Sequence, residues 1–578
     1  MSATRPVHWR YRQTEAHARV RSARDFLVRH RTDHERAYAG FRWPRLTHFN
    51  WALEWFDVVA RNNPAPALEL FDADGGRRVV SYAALSARSD TVATWLTERG
   101  VRRGERVLLV LGTRPELWES VLACLKIGAV VIPTYPTLTP AEARNRVRRG
   151  GIRHVVCRAG LAGVFAGVPV AGRRIAVDGN PGAGWLAYPG PDAPERPFLP
   201  TGPTPAGDLA FGYFTSGTTS EPKLVAHTHV SYPVGHLSSL YFNGLVPGDR
   251  HLNMSAPGWA KHSWSSLFVP FAAEATVLAL PDGPPVPAQV AATLVDARVT
   301  SFCAPPNVWQ QLRPYLDLRR PALREATSAG EPLDAALADE VAQTWGVRIR
   351  DGYGQTETTG LIGTTPGLTP RPGWLGLPLP GYRISLRDPQ TGAPGDTGEV
   401  CVDLADAPVG MMAGYADDPD RTARVLGRGW YGTGDLGERD PDGWIRVLGR
   451  RDDVFKWYGH RISPYELERV LRSHSSVADV AVVGVPHPVG GAQPQAMVLL
   501  RSGIPPGDRL ATELLHHAAG RLAPELRPRS ICFVDSLPRT ASGKVRRSAL
   551  SRIGDADPDP LRRIGAADPA AFRKDDAV

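Results

Sequence analysis

The sequence predicts an α/β protein built from several packed units, and three observations lead to that prediction. The chain has 578 residues, whereas one domain takes up about 150 residues on average. From about residue 80, amphipathic helical segments alternate with short apolar runs, which is typical of parallel sheets with crossover helices. Between residues 376 and 448 the runs are short and separated by Gly, Pro and Asp, which indicates a small antiparallel unit.

The individual elements follow from these patterns in chain order. The first α/β set is predicted to hold helices at 82–99 and 116–127 and strands at 106–111 and 129–133. Residues 180–208 are rich in Pro, Gly, Ala and Asp and are predicted to form a surface connection. A second set is predicted to contain strands at 209–214, 277–280, 301–304 and 347–350.

A separate α+β domain is predicted after Arg450. Its elements are helices at 464–473 and 508–521 and strands at 479–485, 495–500 and 531–534. The final stretch is rich in Asp, Pro and Ala and is expected to be flexible. The predicted organisation is a large N-terminal region at 1–451 with two parallel-type α/β subdomains plus a small β unit, a small mobile α+β domain at 452–554, and a flexible tail at 555–578.

The distribution of charge argues against a nucleic-acid partner. Lys and Arg number 68 and Asp and Glu number 59, for a net charge of +9. Residues 1–40 and 521–578 account for the whole excess, so the body of the chain is neutral and has no broad basic face. Arg is the default cation, which makes each of the six lysines a candidate for a specific role. These lysines stand at positions 126, 223, 261, 456, 544 and 574.

The cysteines and the hydropathy pattern indicate a cytoplasmic protein. Five Cys are far apart, with no CxxC pair and no neighbouring His cluster, so we expect reduced thiols and no zinc site. The sequence lacks an apolar run of about 18 residues and a secretory signal, and we therefore expect no membrane span.

The segment at 211–227, FGYFTSGTTSEPKLVAH, is an apolar strand followed by a loop of hydroxyls and glycine that ends at Lys223. Amides, hydroxyls and an ammonium at this spacing can donate to a polyphosphate. The segment lacks the GxxxxGK of a Walker A sequence. Taken alone, it is equally compatible with a polar turn between strands.

Three further segments favour a nucleotide site. DGYGQTE at 351–357 brings an aromatic ring, a hydroxyl and a carboxylate out of one turn, and these groups suit adenine, phosphate and Mg²⁺. GTGD at 432–435 ends in a carboxylate that can accept both ribose hydroxyls. RTASGK at 539–544 delivers an ammonium from a Gly-containing loop, where it can reach a transferring phosphate.

Together these segments resemble the adenylate-forming superfamily of acyl-CoA and aryl-CoA synthetases, luciferases and nonribosomal peptide synthetase adenylation domains. The resemblance covers nearly the whole chain, and the motifs occur in the family's order. They are TSGTTSEPK (215–223), SAGEP (328–332), DGYGQTE (351–357), YGTGD (431–435), GRRDDVFKWYGHRISPYELE (449–468) and PRTASGK (538–544). Within the superfamily, GWAKHSWSS (258–266) and AHTH (226–229) look closest to medium-chain and aromatic acyl-CoA synthetases.

The resemblance implies an enzyme that uses ATP, Mg²⁺ and CoA. A carboxylate would attack the α-phosphate of ATP to give an acyl-adenylate and pyrophosphate, with Lys544 offsetting the charge that builds up. The C-terminal domain would then turn about a hinge at Asp452, and a thiol would displace AMP. Gly459 would line the pantetheine channel, where a side chain would obstruct it.

The same resemblance implies the remaining site residues. The phosphates would be held by Thr215, Ser216, Gly217, Thr218, Thr219, Lys223, Thr356 and Arg461, the Mg²⁺ by Glu357, the adenine by Gly330, Glu331 and Tyr353, and the ribose by Asp435 and Arg450. Asp351 is a further predicted cofactor-binding residue. Trp259, Lys261, Trp264 and Pro305 suggest an aromatic-lined acid pocket. The mechanism needs no histidine base, so His227 is predicted to be structural or pocket-lining.

One residue departs from the family pattern. The family usually has Gly at the position of Ser220. If that position needs a positive φ, Ser costs on the order of 1 kcal/mol in strain. The departure places ordinary turnover in question while ATP binding is still expected.

The leading hypothesis is an ATP-dependent acid–CoA ligase for an aromatic or medium-length carboxylic acid. Two alternatives keep the same adenylation chemistry: a stand-alone enzyme that loads a carrier protein, and one that activates a non-carboxylic acid such as nitrous acid for diazotisation of an aromatic amine. A fourth hypothesis is a degenerate synthetase that binds polyanions without catalysis, and the neutral body of the chain argues against it. The sequence does not decide the acid, the acceptor or the oligomeric state.

Overall fold

The computed structural model describes residues 13–72, 74–215, 222–283, 286–331, 333–416 and 418–539, together with residues 545, 547, 549–550 and 563–566. The helices are α1 Glu15–Arg29, α2 His34–Gly40, α3 Asp57–Ala60, α4 Tyr82–Glu98, α5 Pro115–Ile127, α6 Pro140–Arg149, α7 Leu237–Asn243, α8 Ala260–Ser263, α9 Val269–Ala272, α10 Pro287–Asp296, α11 Pro306–Leu312, α12 Ala335–Trp345, α13 Pro419–Leu426, α14 Pro464–Arg472 and α15 Asp508–Ala519. Short 3₁₀ segments lie at Ala159–Phe165, Arg313–Tyr315, Arg451–Asp453 and Pro524–Leu526, and π-helical turns at Trp51–Phe56 and Trp264–Phe268.

The strands form four sheets. They are β1 Pro66–Phe71, β2 Arg77–Ser81, β3 Arg106–Val110, β4 Val130–Pro133, β5 His154–Arg158, β6 Arg174–Val177, β7 Trp185–Ala187, β8 Leu209–Thr215, β9 Lys223–Thr228, β10 Arg250–Asn253, β11 Thr276–Ala279, β12 Ser301–Ala304, β13 Glu325–Ala329, β14 Ile349–Gly354, β15 Gly360–Gly363, β16 Leu377–Pro378, β17 Ile384–Arg387, β18 Pro394–Gly395, β19 Thr397–Asp403, β20 Gly414–Tyr415, β21 Trp430–Arg439, β22 Ile445–Arg450, β23 Phe455–Trp457, β24 His460–Ile462, β25 Val477–His487, β26 Gly491–Leu500, β27 Ser530–Phe533 and β28 Arg563–Ala566.

Two large, mainly parallel sheets organise the N-terminal part of the chain. The first sheet has the order β2-β1-β11-β10-β12-β13-β14-β15-β16 and is parallel from β1 to β14. The second has the order β7-β6-β5-β3-β4-β8-β9-β20 and is parallel except at β8/β9 and β9/β20. Helices connect the parallel strands, as the alternating pattern of the sequence predicts.

The two remaining sheets are smaller. The third sheet, β18-β17-β19-β21-β22, is antiparallel throughout and agrees with the small antiparallel unit predicted for 376–448. The fourth sheet, β24-β23-β26-β27-β28 with β25 paired to β26, belongs to the C-terminal α+β part. That part has an apolar core of its own, which includes Leu467, Val480 and Leu514.

Helix α5 illustrates how local sequence sets an element's ends. Pro115 occupies the first turn, where its missing N–H is not needed. Gly128 ends the helix at φ 80°, and its N–H donates to the carbonyl of Cys124. Nearly every side chain between these ends is buried, so the helix packs into the main core, to which its own Trp118 contributes along with Trp51 and Trp55.

Two short strands lie in stretches that the sequence predicts to be irregular, and the flexible tail at 555–578 as a whole stays a prediction. The stretch 180–208 contains β7, which pairs in parallel with β6. Within the predicted flexible tail, Arg563–Ala566 forms β28 and pairs antiparallel with β27. In both cases the edge strand of a sheet offers unpaired N–H and C=O groups, and a neighbouring segment satisfies them whatever its composition.

No helix in the described ranges is both long enough and apolar enough to cross a bilayer.

Candidate active site

The nucleotide segments meet at the ends of neighbouring strands. Gly330 and Glu331 follow β13, and Asp351 and Tyr353 lie near the end of β14, which pairs in parallel with β13 through Ser328 and Asp351. Because parallel strands end at the same sheet edge, the two segments emerge side by side, which is where α/β proteins bind ligands. Gly330 has φ 111°, a conformation that requires glycine.

The predicted phosphate loop connects two antiparallel strands. Thr215 ends β8 and pairs with Lys223, the first residue of β9. Ser216, Gly217, Thr218, Thr219 and Ser220 lie outside the described residues, so their predicted roles and the effect of Ser220 stay predictions.

Lys223 and Glu357 are linked through one aromatic ring. The ammonium of Lys223 lies 5.4 Å from the centroid of Tyr415, and the Tyr415 hydroxyl donates to Oε1 of Glu357 at 3.1 Å. Burial lowers the pKa of Lys223. The carboxylate predicted to hold Mg²⁺ therefore lies beside the lysine that ends the phosphate loop.

Asp435 is the centre of a hydrogen-bonded cluster. Its Oδ2 accepts from the Tyr353 hydroxyl at 2.5 Å and from Nε2 of Gln355 at 2.7 Å, while Oδ1 accepts from Arg450 at 3.2 Å. The Tyr431 hydroxyl in turn donates to Gln355 at 3.0 Å. The cluster brings together Tyr353, Asp435 and Arg450, three residues predicted to bind the nucleotide, and it fixes the orientation of the Asp435 carboxylate.

Gln355 and Tyr431 are functional candidates that the sequence reasoning missed. Both lie inside quoted motifs, DGYGQTE and YGTGD. Their position within these motifs is the signal that could have identified them, since a side chain close to a predicted ligand in the sequence can orient that ligand.

A buried histidine holds the backbone of Thr356. Nε2 of His227 is 2.7 Å from the Thr356 carbonyl, and its Nδ1 is 3.0 Å from the Ser231 hydroxyl. Burial lowers the pKa of His227 to about 4, so the ring is neutral at physiological pH. His227 is thus structural, in agreement with the sequence-based expectation.

Asp351 is held in an unusual protonation range. Its Oδ1 accepts from the N–H of Gly352 at 2.9 Å. Burial raises the pKa of Asp351 to about 7, although that hydrogen bond and nearby Lys261 act in the opposite direction. A carboxyl near its pKa can either donate to or accept from a purine edge.

The four predicted pocket residues have different surroundings. Trp259 stacks on Tyr135 with ring centroids 5.5 Å apart, and Trp264 stacks on His236 at 5.8 Å. Pro305 precedes the first residue of α11. Lys261 donates to the carbonyl of Ala329 at 3.0 Å, so it contacts the segment before Gly330 and links the pocket helix to the predicted adenine segment.

The hinge region and the C-terminal domain lie beyond β22. Asp452 belongs to the 3₁₀ turn and is about half exposed. Gly459 lies at the tip of the β23/β24 hairpin with φ 85°, and Arg461 lies in β24. A Cβ at Gly459 would meet no atom within 4 Å, so the positive φ, and not lack of space, favours glycine in this domain arrangement. That a side chain here would obstruct the pantetheine channel stays a prediction for the second domain arrangement.

Arg539, the first residue of the RTASGK segment, lies close to the predicted adenine segment. Arg539 lies 3.9 Å from the carboxylate of Glu331 and also pairs with Asp479. Lys544 itself lies outside the described residues. Its role therefore stays a prediction.

Two family profiles match the chain. The family described as "AMP-binding enzyme" matches residues 56–416, and "AMP-binding enzyme C-terminal domain" matches residues 466–544. The first match includes Lys223, Tyr353 and Glu357, and the second covers most of the predicted mobile domain, from residue 466 to Lys544.

Relatives and solved structures agree with this assignment. The chain is 36% identical over 88% of its length to 4-hydroxybutyrate–CoA ligase 1 of Metallosphaera sedula, covering 91% of that protein. It is 33% identical over 87% of its length to the mitochondrial acyl-coenzyme A synthetase ACSM3 of Rattus norvegicus, covering 90% of that protein. The anthranilate CoA ligase AuaEII in complex with anthranoyl-AMP superposes with a TM-score of 0.78 at 27% identity, over 88% of this chain and 98% of that one. These matches confirm the α/β architecture with a large N-terminal and a smaller C-terminal domain, and the chain belongs to the AMP-binding enzyme family.

Proposed function

We propose that this chain is an ATP-dependent acid–CoA ligase that acts on an aromatic or medium-length carboxylic acid. The observation that carries the proposal is the convergence of two anchored carboxylates, Glu357 beside Lys223 and Asp435 beside Arg450, at the strand ends that carry the nucleotide segments. A binding protein without catalysis would not need both a metal-type carboxylate and a cation near the same phosphate loop.

The nucleotide is proposed to lie across the end of β14. Asp435, whose carboxylate is fixed by Tyr353, Gln355 and Arg450, would accept the ribose hydroxyls. The ring of Tyr353 would lie against adenine while its hydroxyl keeps the bond to Asp435. Thr215 and Lys223 flank the loop that would hold the phosphates, and Thr356, which follows β14, would contact them.

Magnesium fits this site through one carboxylate. Among the described residues no group of three or more His, Cys, Asp or Glu side chains could enclose a metal ion. Mg²⁺ in phosphoryl-transfer sites is commonly held by one or two carboxylates together with substrate phosphates and water. Glu357 supplies that single carboxylate, and the ion, when bound, would neutralise charge on the phosphates.

In the first half-reaction the substrate carboxylate is proposed to attack the α-phosphate, with pyrophosphate as the leaving group. Lys544 would stabilise the charge that accumulates between the two anions. The contact of Arg539 with Glu331 supports this role, because Arg539 begins the RTASGK segment that ends at Lys544 and Glu331 is proposed to frame adenine.

In the second half-reaction CoA is the proposed acceptor. Rotation about the turn that contains Asp452 would carry the Lys544 loop away and bring Gly459 to the site. The exposed hairpin tip at Gly459 supports the proposal, since a segment that must later enter a channel cannot be packed into the domain's own core.

The acid is proposed to occupy the region of Trp259 and Trp264, where two stacked aromatic pairs, Tyr135/Trp259 and His236/Trp264, offer flat apolar surfaces. We further propose a reducing, cytoplasmic location. All five cysteines are free and buried, as expected for a chain that keeps its thiols reduced.

The proposal is tested by measuring pyrophosphate release with a panel of aromatic and aliphatic acids, with and without CoA. We expect acid-dependent release that falls at least about a hundredfold in Lys544→Ala, because removing a charge that acts on the transition state costs roughly 3 kcal/mol or more. Lys574→Ala is the matched control and should behave like the native chain. Pyrophosphate release with nitrite and an aromatic amine, but with no acid on the panel, would overturn the ligase assignment.

A second arm separates the acceptors. CoA is replaced by a carrier protein bearing its phosphopantetheine arm, and thioester formation is followed by mass spectrometry. Loading of the carrier at a higher kcat/KM than CoA would favour the alternative enzyme that serves a carrier protein.

A further inference from the structure

Tyr415 carries two cations at its ring. The ammonium of Lys223 lies 5.4 Å from the ring centroid, and the guanidinium carbon of Arg421 lies 5.1 Å from it. The phenol hydroxyl of the same residue donates to Glu357. Tyr415 is therefore the point where two cations and the predicted Mg²⁺ carboxylate come together.

The fold brings these groups together from distant parts of the sequence. Tyr415 in β20 pairs with Val225 in β9, so Lys223 is its diagonal neighbour on the same face of the second sheet. Arg421 lies in the first turn of α13, which begins after Asp418; the Asp418 side chain accepts from the Arg421 N–H and fixes the turn. Arg421 is outside all the motifs by which the sequence resembles its family.

The guanidinium of Arg421 has no protein acceptor in the described part of the chain. Its neighbours in the same region are paired: Arg450 bonds to Asp435, and Arg451 bonds to Glu399 at 2.9 Å. Arg421 is half-buried, and its one described side-chain contact is the face of Tyr415. A half-buried guanidinium left without an acceptor forgoes the charge-assisted hydrogen bonds that it can make.

The electrostatic balance around Lys223 supports the presence of a further anion. Burial lowers the pKa of Lys223, and the nearby charge of Arg421 lowers it further. Glu357 raises the same pKa, but by less than Arg421 lowers it. The two cations are therefore close enough to repel each other. A multiply charged anion between them would remove that repulsion and satisfy both.

We propose that Arg421 and Lys223 together bind the β- and γ-phosphates of ATP and hold pyrophosphate after adenylation. The inference rests on the proposed function. Asp435, Arg450 and Tyr353 are assigned to the nucleoside end. Lys223 and Arg421 instead lie 5.4 Å and 5.1 Å from the centroid of Tyr415, whose hydroxyl donates to the carboxylate that would share Mg²⁺ with the terminal phosphates. The guanidinium fork suits two phosphate oxygens at once.

The test measures binding of magnesium pyrophosphate and, separately, of AMP to the native chain by titration calorimetry. Arg421→Gln removes the charge and keeps much of the stem that packs on Tyr415. We expect its pyrophosphate affinity to fall roughly tenfold or more, since a charge-assisted contact is worth about 1.5–3 kcal/mol. AMP affinity should change less than about twofold, because AMP lacks the β- and γ-phosphates. Arg421→Lys should recover part of the loss.

Arg424→Gln is the matched control, because Arg424 is exposed one turn further along α13. Equal pyrophosphate affinities in Arg421→Gln and Arg424→Gln would overturn the proposal, and so would an equal loss of AMP and pyrophosphate binding in Arg421→Gln. Failure of the proposed function is distinguishable from both. The native chain would then show no acid-dependent exchange of pyrophosphate into ATP, whatever the Arg421 variants bind.

Discussion

Lys126 and Lys223, two of only six lysines in the chain, occupy opposite electrostatic settings. The ammonium of Lys126 lies 2.8 Å from Asp57 and 2.6 Å from Asp90, and all three side chains are at most 1% exposed. Burial alone would lower the pKa of Lys126, but the two carboxylates raise it. The cluster ties helices α3, α4 and α5 together inside the main core.

Lys223 instead lacks a carboxylate partner among the described residues and rests on the ring of Tyr415. Its pKa is lowered by burial rather than raised by a counter-ion. The difference teaches how to separate structural from functional cations in this molecule. A lysine whose counter-charge is supplied by the protein stabilises the fold, whereas a lysine left without one is available to an anionic ligand.

Breaking the structural cluster should have the largest effect on stability. Lys126→Met leaves two carboxylates in the core without a cation, and we expect the free energy of unfolding to fall by about 3–5 kcal/mol. Urea unfolding followed by circular dichroism measures the change. Lys456→Met, at an exposed position in β23, is the control and should stay within about 0.5 kcal/mol of the native chain.

The interpretation can be checked by removing all three charges. In Lys126→Met combined with Asp57→Asn and Asp90→Asn, most of the lost stability should return, because no uncompensated charge is buried. A single Lys126→Met variant as stable as the native chain would show that the cluster does not hold the helices together.

The functional lysine should give the reverse result. Lys223→Gln removes a cation that forms no ion pair with a carboxylate of the described residues, so we expect the free energy of unfolding to change by less than about 1 kcal/mol. Exchange of pyrophosphate into ATP should fall by roughly tenfold to a hundredfold, in line with a charge-assisted contact of about 1.5–3 kcal/mol.

Lys456→Gln is the control for this variant and should retain exchange. If Lys223→Gln lost as much stability as Lys126→Met, the distinction drawn from counter-ions would be wrong.

Helices and strands could be predicted from the sequence where the segment itself has a clear hydrophobic periodicity. The helix predicted at 82–99 is α4, and the strand predicted at 301–304 is β12, because hydrophobic periodicity marks both. Strands β7 and β28 were missed because a neighbouring strand's pairing determines them, and composition indicated only loops.

The same division applies to the candidate site. Motifs identified Tyr353 and Asp435, which the structure brings to hydrogen-bonding distance. They could not show that Lys261 contacts Ala329, or that Arg421 shares the ring of Tyr415 with Lys223. Those contacts join segments far apart in the sequence, and chain spacing contains no information on them.

The last and smallest expected effect concerns the protonation of Asp57, which lies in the buried cluster around Lys126. Burial, with Asp90 as a further contribution, raises the pKa of Asp57 to about 6 against the lowering effects of Lys126 and Ser86, whereas an unfolded aspartate titrates near 3.8. Between these values the folded chain holds a proton on Asp57 that the unfolded chain has released. This group therefore favours folding as the pH falls and costs stability as the pH rises through about 6.

We accordingly expect Asp57→Asn, which mimics the protonated form, to gain stability relative to the native chain between pH 4 and pH 7.5, by on the order of 2 kcal/mol. Parallel urea titrations of both chains across this range measure the difference. Asp317→Asn, at an exposed position, controls for the loss of a carboxylate, and its stability relative to the native chain should not change with pH. If the stability difference between Asp57→Asn and the native chain also did not change with pH, Lys126 would fully compensate the buried charge. The cluster would then stabilise the fold equally above and below pH 6.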